Sequence, residues 1–417
     1  MPLIGTRGVA SSRGVGFLSV ANIGGPYWIG SISSYNYYIF TTVDYDGNVY
    51  LLASSPGFPY DVYIIKYNSI GVLQWQKTWN TTVSGFSGVH GLSFFDVDNN
   101  GNIYFSTSIP EISTGALGFA IVKLNSSGSI VYNNFVQQYF LGSQGGFLDK
   151  ATGEVYIVGK SGPTQELGFF IKFNASGVEQ TSFETTAYVG SHYLSGVVLD
   201  SSKNIYVGGW DNGGTYVSKY NTSGTQQWKK YLSGYGAAND LAVDQNNNIY
   251  AAGFSGVTSV PRLLKTDSSG AIQWQRTLTG ATGGNQSVAV DAFNNVYALG
   301  DMDGKAQITK YNSSGSIVWQ RSLTAGGFGY SLKIDRSNNL YVGTNTSFAK
   351  LPSDGSLTGT YTVGSSSVVY ASSAWTNTTT TDFWGDSIAT DSALSVTRTS
   401  PTGTIGTASL TLNLTQL

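Results

Sequence analysis

A two-part signature occurs seven times along the 417 residues of this chain. The first part is Asp-x₃-Asn-x-Tyr or a close variant, with its tyrosine at Tyr50, Tyr104, Tyr156, Tyr206, Tyr250, Tyr297 and Tyr341. The second is a lysine followed five residues later by glycine, at Lys66, Lys123, Lys172, Lys219, Lys265, Lys310 and Lys350. Successive tyrosines are 44 to 54 residues apart. This period, with strand-like content, predicts the blades of a β-propeller.

Within each repeat the hydrophobic residues alternate with a period of two, which indicates strands. The fifth repeat divides into Asp240 to Asp244, Ile249 to Gly253, Arg262 to Thr266 and Ala271 to Arg276, with turns between them. We therefore predict an all-β fold, a seven-bladed β-propeller of four-stranded antiparallel blades with short N- and C-terminal extensions. The predicted blades are 37–79, 91–138, 143–184, 194–233, 238–280, 285–323 and 329–363.

Two segments lie outside the predicted propeller of residues 37–363. Residues 1–36 are rich in Gly and Ser, and residues 364–417 are rich in Ser and Thr and end in an alternating pattern at 409–414. Because both contain tryptophan, they are not typical of disordered tails, and we expect them to be ordered against each other, the propeller or a partner. The seventh repeat contains segments for all four strands, which predicts that the ring closes without a strand from the other terminus.

Composition excludes several function classes. Charged residues make up 11% of the chain and the net charge is -2, so we expect no nucleic-acid partner. No cysteine is present, which excludes disulfides and thiolate metal sites. No apolar stretch is long enough to cross a membrane as a helix, and residues 1–7 lack the apolar core of a signal peptide. We therefore expect synthesis in a cytoplasm, with no membrane insertion.

The aspartates of the signature lie where a turn follows the innermost strand, and we interpret them as turn residues that accept backbone N–H groups. In the second repeat, Asp96, Asp98 and Asn100 also begin like a calcium loop, but Thr107 stands where such a loop needs Glu. A hairpin turn is the favoured interpretation. In the third repeat the aspartate, Asp149, is displaced by one residue, so a different turn is expected there.

Three further recurring features are also explained by architecture. We interpret the seven lysines as packed stems that form ion pairs within or between blades. Trp75, Trp228, Trp274 and Trp319 share one position after the turn glycine and are predicted to pack on the outer strand. The glycosylation-like matches all fall in the repeated Asn-x-Ser-Gly turn, at Asn125, Asn174, Asn221 and Asn312.

Four residues are not explained by the repeat and are candidate binding residues. The two histidines, His90 and His192, each stand fourteen residues before the tyrosine of their repeat, near one predicted mouth of the channel. Imidazoles there could contact a ligand or a metal, although their blades are not adjacent. Trp210 and Asp211 are predicted in a loop, where an exposed aromatic ring beside a carboxylate suits sugar or protein recognition. The alternative is that Trp210 packs on its own blade.

Catalytic signatures are few. There is no Gly-x-Ser-x-Gly motif, and a catalytic triad would need one of only two histidines. The acids outside the repeat turns that a glycosidase would need include Glu111, Glu166, Asp301 and Asp303. No phosphate-binding glycine loop is present. We therefore predict no enzymatic activity, no catalytic residues, no cofactor and no resident metal.

The repeats resemble a bacterial β-propeller repeat in which Asp-x₃-Asn-x-Tyr is followed by Lys-Tyr-Asn-x-x-Gly and then Trp. The segments 219–228 and 310–319 match this pattern closely, and the resemblance covers about 37–363. It implies a binding or scaffold module without a shared catalytic site. Secreted members usually carry a signal peptide, which this sequence lacks.

The first seventeen residues, which end at Phe17, resemble the leader of certain bacteriophage tail and fibre proteins. The resemblance implies a virion structural protein that is tail-associated, oligomeric within its assembly and bound to other virion proteins. Residues 1–36 would dock it on the particle, with Arg7, Arg13, Phe17 and Trp28 as docking residues. The propeller would bind a host-surface glycan or outer-membrane protein. The alternatives are a non-viral sugar- or protein-binding propeller and, third, an enzyme that uses the channel mouth.

Overall fold

The structure is a computed structural model, and it describes residues 18–24, 26–32, 39–54, 62–79, 91–110, 117–136, 142–161, 167–185, 192–211, 214–233, 236–255, 259–324, 327–363, 366–378 and 384–386. These residues form strands and turns. None of the described elements is a helix long and apolar enough to cross a membrane.

Seven antiparallel sheets form the blades, each beginning with an innermost strand at the central channel. Blades one to three contain β3 (Ile39–Val43), β4 (Val49–Ser54), β5 (Val62–Tyr67) and β6 (Leu73–Trp79); β7 (Gly91–Val97), β8 (Ile103–Pro110), β9 (Leu117–Leu124) and β10 (Ile130–Val136); and β11 (Gly142–Asp149), β12 (Glu154–Ser161), β13 (Leu167–Phe173) and β14 (Glu179–Thr185). Blades four to six contain β15 (His192–Leu199), β16 (Ile205–Asp211), β17 (Gly214–Tyr220) and β18 (Gln226–Ser233); β19 (Gly236–Val243), β20 (Ile249–Ser255), β21 (Val260–Thr266) and β22 (Ile272–Thr279); and β23 (Gly283–Val290), β24 (Val296–Met302), β25 (Lys305–Tyr311) and β26 (Ile317–Thr324). The predicted fold class is confirmed.

Blade seven borrows its fourth strand from the N-terminal segment. Its own strands are β27 (Gly329–Ile334), β28 (Asn339–Thr344) and β29 (Ser347–Pro352), and β29 pairs with β2 (Tyr27–Ile32). A further strand, β1 (Leu18–Gly24), pairs with β2 at the outer edge. The prediction that blade seven supplies all four of its strands is therefore wrong. The segment assigned to that strand, 359–363, pairs elsewhere.

The C-terminal chain runs backwards around the outside of the ring. Strands β30 (Gly359–Val363) and β31 (Ser366–Ser372) extend the sheet of blade six. Two short strands, β32 (Thr376–Thr378) and β33 (Trp384–Asp386), then pair with the outer strands of blades five and four. The described parts of both terminal segments thus lie against the propeller, as expected. The pattern at 409–414 lies outside the described residues.

The seven tyrosines of the signature form the repeated core contact. Each has a relative exposure of 2% or less, and each ring lies beneath the ammonium group of its repeat lysine at 4.9 to 5.9 Å from the ring centroid. In six blades the tyrosine hydroxyl donates to the turn aspartate, as in Tyr250 to Asp244 at 3.0 Å. In blade three Glu154 takes this place, accepting from Tyr156 at 3.0 Å and pairing with Lys172 at 2.8 Å. The blade-three turn differs accordingly, with Gly153 N–H donating to Asp149 C=O across four residues, as expected.

The lysines and tryptophans also connect neighbouring blades. In blade five, Lys265 and Trp274 both donate to the carbonyl of Ser313 in blade six, at 3.3 and 3.0 Å. Blades four and six make the same pair of bonds to Ser268 and Ser353. The outer-strand packing predicted for the tryptophans is confirmed. The ion-pair interpretation of the lysines holds in part, since cation–π and carbonyl contacts are the more general ones.

Candidate functional site

The antiparallel order of each blade places its connections on two opposite faces of the ring. The turn face carries the connections from first to second and from third to fourth strand. The loop face carries those from second to third strand and from each blade to the next. Most turn-face connections repeat almost unchanged, because the same backbone bonds and an Asp or Asn side chain close them; the turns at Asp149 and Pro352 are the exceptions.

The connections of the loop face vary in length. Those inside blades range from seven residues at 55–61 to two at 212–213, and those between blades range from eleven at 80–90 to two at 234–235. The longer ones all belong to the sector from blade one to the start of blade four. They contain aromatic residues at Phe58, Tyr60, Phe86, Tyr139, Phe140 and Tyr188. Variable loops on a rigid scaffold are where binding residues concentrate.

A β-bulge aims one extra residue from the innermost strand of most blades towards the channel. The register shifts at the same place in six of the seven described innermost strands, and the bulged residues are Ser93, Gln144, Ser195, Asn239, Gln286 and Tyr330. Bulges redirect side chains and are over-represented beside active sites. The residue type at this position differs between blades, unlike the tyrosines and lysines of the signature.

Asp96 lies at the centre of a charged cluster in the channel. Its side chain accepts the hydroxyl of Thr42 in blade one at 2.6 Å and lies 3.0 Å from the ammonium of Lys150 in blade three. Lys333 of blade seven approaches to 3.8 Å. Burial would raise the pKa of Asp96, but the two lysines and the hydroxyl outweigh burial and lower it. Asp96 therefore stays ionised and links four blades.

The pKa of Asp240 in blade five is shifted in the opposite direction to that of Asp96. Burial raises its pKa, although Lys333 and hydrogen bonds oppose this effect. Its carboxylate accepts the hydroxyl of Ser287 at 2.9 Å and the N–H groups of Val288 and Leu241 at 3.0 and 2.9 Å. Since these donors use both oxygens, a positioning role is favoured over proton transfer.

Residues of the charged cluster line two cavities. The turn-face cavity has a volume of about 690 Å³, and its lining includes Asp96 and Lys150. The loop-face cavity has a volume of about 280 Å³, and its lining includes Lys333, Asp240 and the six bulged residues. The two linings share no residue, and the ion pair between Asp96 and Lys333 joins one lining to the other.

The predicted pair Trp210 and Asp211 lies in a strand rather than a loop. Both residues belong to β16, which corrects the expectation. Asp211 is 1% exposed and lies 3.9 Å from the ammonium of Lys229, so it is not a surface carboxylate. The ring of Trp210 stacks on Tyr193 at a centroid distance of 5.6 Å, and Tyr193 lines the loop-face cavity. This is the predicted alternative, in which the tryptophan packs on its own blade.

The remaining candidates fall in different places. His192 begins β15, where its backbone pairs with Asp211, while His90 lies outside the described residues together with Arg7, Arg13 and Phe17. Trp28 is 2% exposed and packs against Tyr67 and Phe348, so its ring belongs to the core and offers no docking surface.

The described residues give no support to a metal site at the positions considered. No group of three or more His, Asp or Glu side chains able to hold a metal ion occurs among them. In the calcium-like segment, Asp98 accepts the N–H groups of Asn100 and Asn102, the amide of Asn102 and the hydroxyl of Tyr104. The other blades with this turn use their aspartate in the same way, which confirms the hairpin interpretation.

These features define the chain as a seven-bladed β-propeller with four-stranded antiparallel blades. No protein-family model and no curated protein matches its sequence. Among solved structures it is similar to a streptogramin B lyase, at 12% identity over 78% of this chain and 97% of that one, with a TM-score of 0.54. It is also similar to the polysaccharide lyase Uly1, at 9% identity over 82% and 100%, with a TM-score of 0.50. The WD40 propeller domain of Doa1 is 12% identical over 80% and 96%, with a TM-score of 0.49. At these identities the likeness concerns the fold alone.

Proposed function

We propose that this protein is a non-catalytic structural component of a bacteriophage virion, associated with the tail, whose loop face binds the host surface. The observation that carries the binding role is the difference between the faces. The turn face is fixed by the same bonds in blade after blade, whereas the loop face has connections of two to eleven residues. A surface free to vary on a rigid ring suits recognition.

The virion role is supported by the leader and by the position of the strand that follows it, β1. The tail-like leader ends at Phe17, and β1 begins at Leu18 on the outermost edge of blade seven. A docking segment that precedes β1 would therefore leave the ring at its rim, away from the channel. This arrangement would leave the loop face available to the host.

Removal of residues 1–17 tests docking without disturbing the ring. Because β2 is a strand of blade seven, the truncation must stop before Leu18; a protein lacking residues 1–32 serves as the disrupted control. We expect the protein that begins at Leu18 to keep its melting temperature but to be absent from purified particles. Equal incorporation, or full-length protein that no particle contains, would contradict the virion role.

Exchange of loop-face connections tests binding. Residues 55–61 and 111–116 would each be replaced by Asn-Gly, the connection of blade four at 212–213. We expect labelled protein to lose binding to host cells while remaining folded. A matched control replaces the blade-four turn 201–203 with the blade-five sequence Gln-Asn-Asn and should bind normally. Unchanged cell binding by the loop exchanges would remove the loop face as the receptor site.

A further inference from the structure

We infer that the loop-face cavity of the channel binds a neutral hydroxylated ring of monosaccharide size. The inference deepens the proposed function and rests on it only in taking the loop face as the ligand-facing side. The volume of this cavity, about 280 Å³, lies just below the range of about 300–1,000 Å³ that is usual for small-molecule sites. One sugar unit, rather than a longer oligosaccharide, is the size that fits.

Some bulged residues connect blades and are not available to a ligand. The hydroxyl of Ser93 lies 2.6 Å from that of Ser143 in the next blade, and Ser195 donates to the carbonyl of Ala238. The amide of Asn239 donates to the carbonyl of Asn285 at 2.9 Å and to the side-chain oxygen of Gln286 at 3.2 Å. These bonds fix the cavity wall and orient the groups that remain.

Other polar groups of the cavity wall have donors or acceptors that are not used in hydrogen bonds to the described residues. Gln144 is exposed, and among the described residues its amide makes no hydrogen bond. Gln286 uses only its oxygen, so its NH₂ group retains both donors. The ammonium of Lys333 has its described ion pair at 3.8 Å, beyond hydrogen-bond distance, and its side chain is 41% exposed. Amides that both donate and accept suit hydroxyl groups, which do the same.

The aromatic rings and the charges of the loop-face cavity indicate which class of ligand it favours. Tyr193 in blade four, supported by Trp210, and Tyr330 in blade seven line well-separated parts of the wall. Such rings offer flat apolar faces to the C–H groups of a sugar. The positive charge of Lys333 is balanced by Asp96 and Asp240, so the cavity does not favour an anion. A neutral sugar is therefore favoured over an acidic one.

The test measures direct binding of methyl glycosides to the full-length protein. Methyl glycosides of glucose, galactose and N-acetylglucosamine, with glucuronic acid as the anionic arm, would be titrated in ligand-observed NMR experiments. We expect at least one neutral glycoside to bind, and Gln144→Leu and Gln286→Leu each to weaken it about tenfold through the loss of an amide hydrogen bond. Gln227→Leu is the matched control, because Gln227 is exposed on an outer strand and bonds only locally.

Three outcomes would overturn the inference: no neutral glycoside binds, glucuronic acid binds more tightly, or both cavity variants bind as the native protein does. Thermal melting of each variant verifies that the ring is intact. If glycosides bind in the channel while the loop exchanges leave cell binding unchanged, the proposed loop-face receptor role fails and this inference stands. If the protein binds cells through the loop face but binds no glycoside, this inference fails and the proposed receptor role stands.

Discussion

The turn face and the loop face of this propeller are built from the same strands but use their side chains differently. On the turn face most of the aspartates accept several bonds inside their own hairpins, as Asp244 does, and most of the repeat lysines and tryptophans bond to the next blade. On the loop face the connections differ from blade to blade, and the bulged residues differ in type. The comparison indicates that stability is concentrated on one side of the ring and variability on the other. The following substitutions test that division.

The largest effect is expected at the closure of the ring, for Trp28→Ala. Trp28 faces Lys350 in the register of β2 and β29, and its ring packs on Gly71 of blade one, where a Cβ atom would lie 3.0 Å from the ring. Loss of a buried tryptophan should lower the free energy of unfolding by about 3–5 kcal/mol. Chemical denaturation measures this effect. Phe293→Ala, at a residue that is 72% exposed, is the control and should change stability by less than about 0.5 kcal/mol.

A turn-face aspartate should come next. Asp244→Ala leaves the N–H groups of Asn246 and Asn248, the amide of Asn248 and the hydroxyl of Tyr250 without their acceptor. Because hydrogen bonds to a charged group are lost at a buried position, we expect a decrease of about 2–3 kcal/mol in the free energy of unfolding. Lys305→Met, at an exposed loop-face lysine, is the comparison. Equal losses of unfolding free energy in both variants would contradict the proposal that stability is concentrated on the turn face.

Asp96→Asn should have an intermediate effect that depends on pH. The folded-state pKa of Asp96 is lowered, so its contribution is present above the unfolded pKa of about 4 and is lost as pH falls through the folded value. At pH 7 we expect a loss of about 1–2 kcal/mol, reduced because Lys150 and Lys333 are 37% and 41% exposed. Denaturation at several pH values should show the two proteins converging in acid.

Asp240→Asn provides the opposite pH signature in the same channel. Because its folded-state pKa is raised, ionisation of Asp240 reduces stability as pH rises from the unfolded value through the folded one. The variant should therefore gain stability relative to the native protein over that interval. Parallel pH dependence in both variants would show that the two carboxylates do not differ as described.

The smallest effect on stability is expected for a shortened loop. Replacement of residues 55–61 by Asn-Gly should change the free energy of unfolding by less than about 1 kcal/mol, since loop-closure entropy varies slowly with length. The reciprocal variant places the sequence of 55–61 in the turn at 245–247 and should destabilise the protein more, because the bonds of Asp244 are lost. A larger loss of stability from the loop-face exchange than from the turn-face exchange would contradict the proposal that the turn face stabilises the ring.

The blades could be predicted from the sequence because the same residue types recur at the same spacings in all seven repeats. The prediction failed at blade seven because the outer strand, β2, lies more than three hundred residues before its partner β29. A local sequence pattern does not indicate so distant a pairing. One clue was present: Trp28 pairs with Lys350 as Trp228, Trp274 and Trp319 pair with the lysines of their own blades. The missing tryptophan of the seventh repeat was in the N-terminal segment.

The channel site was missed for a related reason. Asp96 and Lys333 occupy one repeat position, two residues before the turn aspartate, where the other blades have Thr42, Phe147, Val198, Ala242 and Ala289. An alignment of this position would have shown the two opposite charges. It would not have shown that Lys150, in a turn of blade three, also reaches Asp96, because the displaced turn of that blade determines this contact. The bulges were likewise hidden, since the pairing partner defines them.

The exchange of strands at blade seven has a consequence for biosynthesis. Of the described strands, β1 and β2 are made earliest, and β2 finds its partner β29 only after residue 352 has been made. Until then the growing chain is an open arc with an unpaired edge at each end. Closure of the ring therefore requires synthesis of the chain through β29. A chain truncated before β29 would lack the strand of blade seven that pairs with β2, so β1 and β2 join the ring only after β29 has been made.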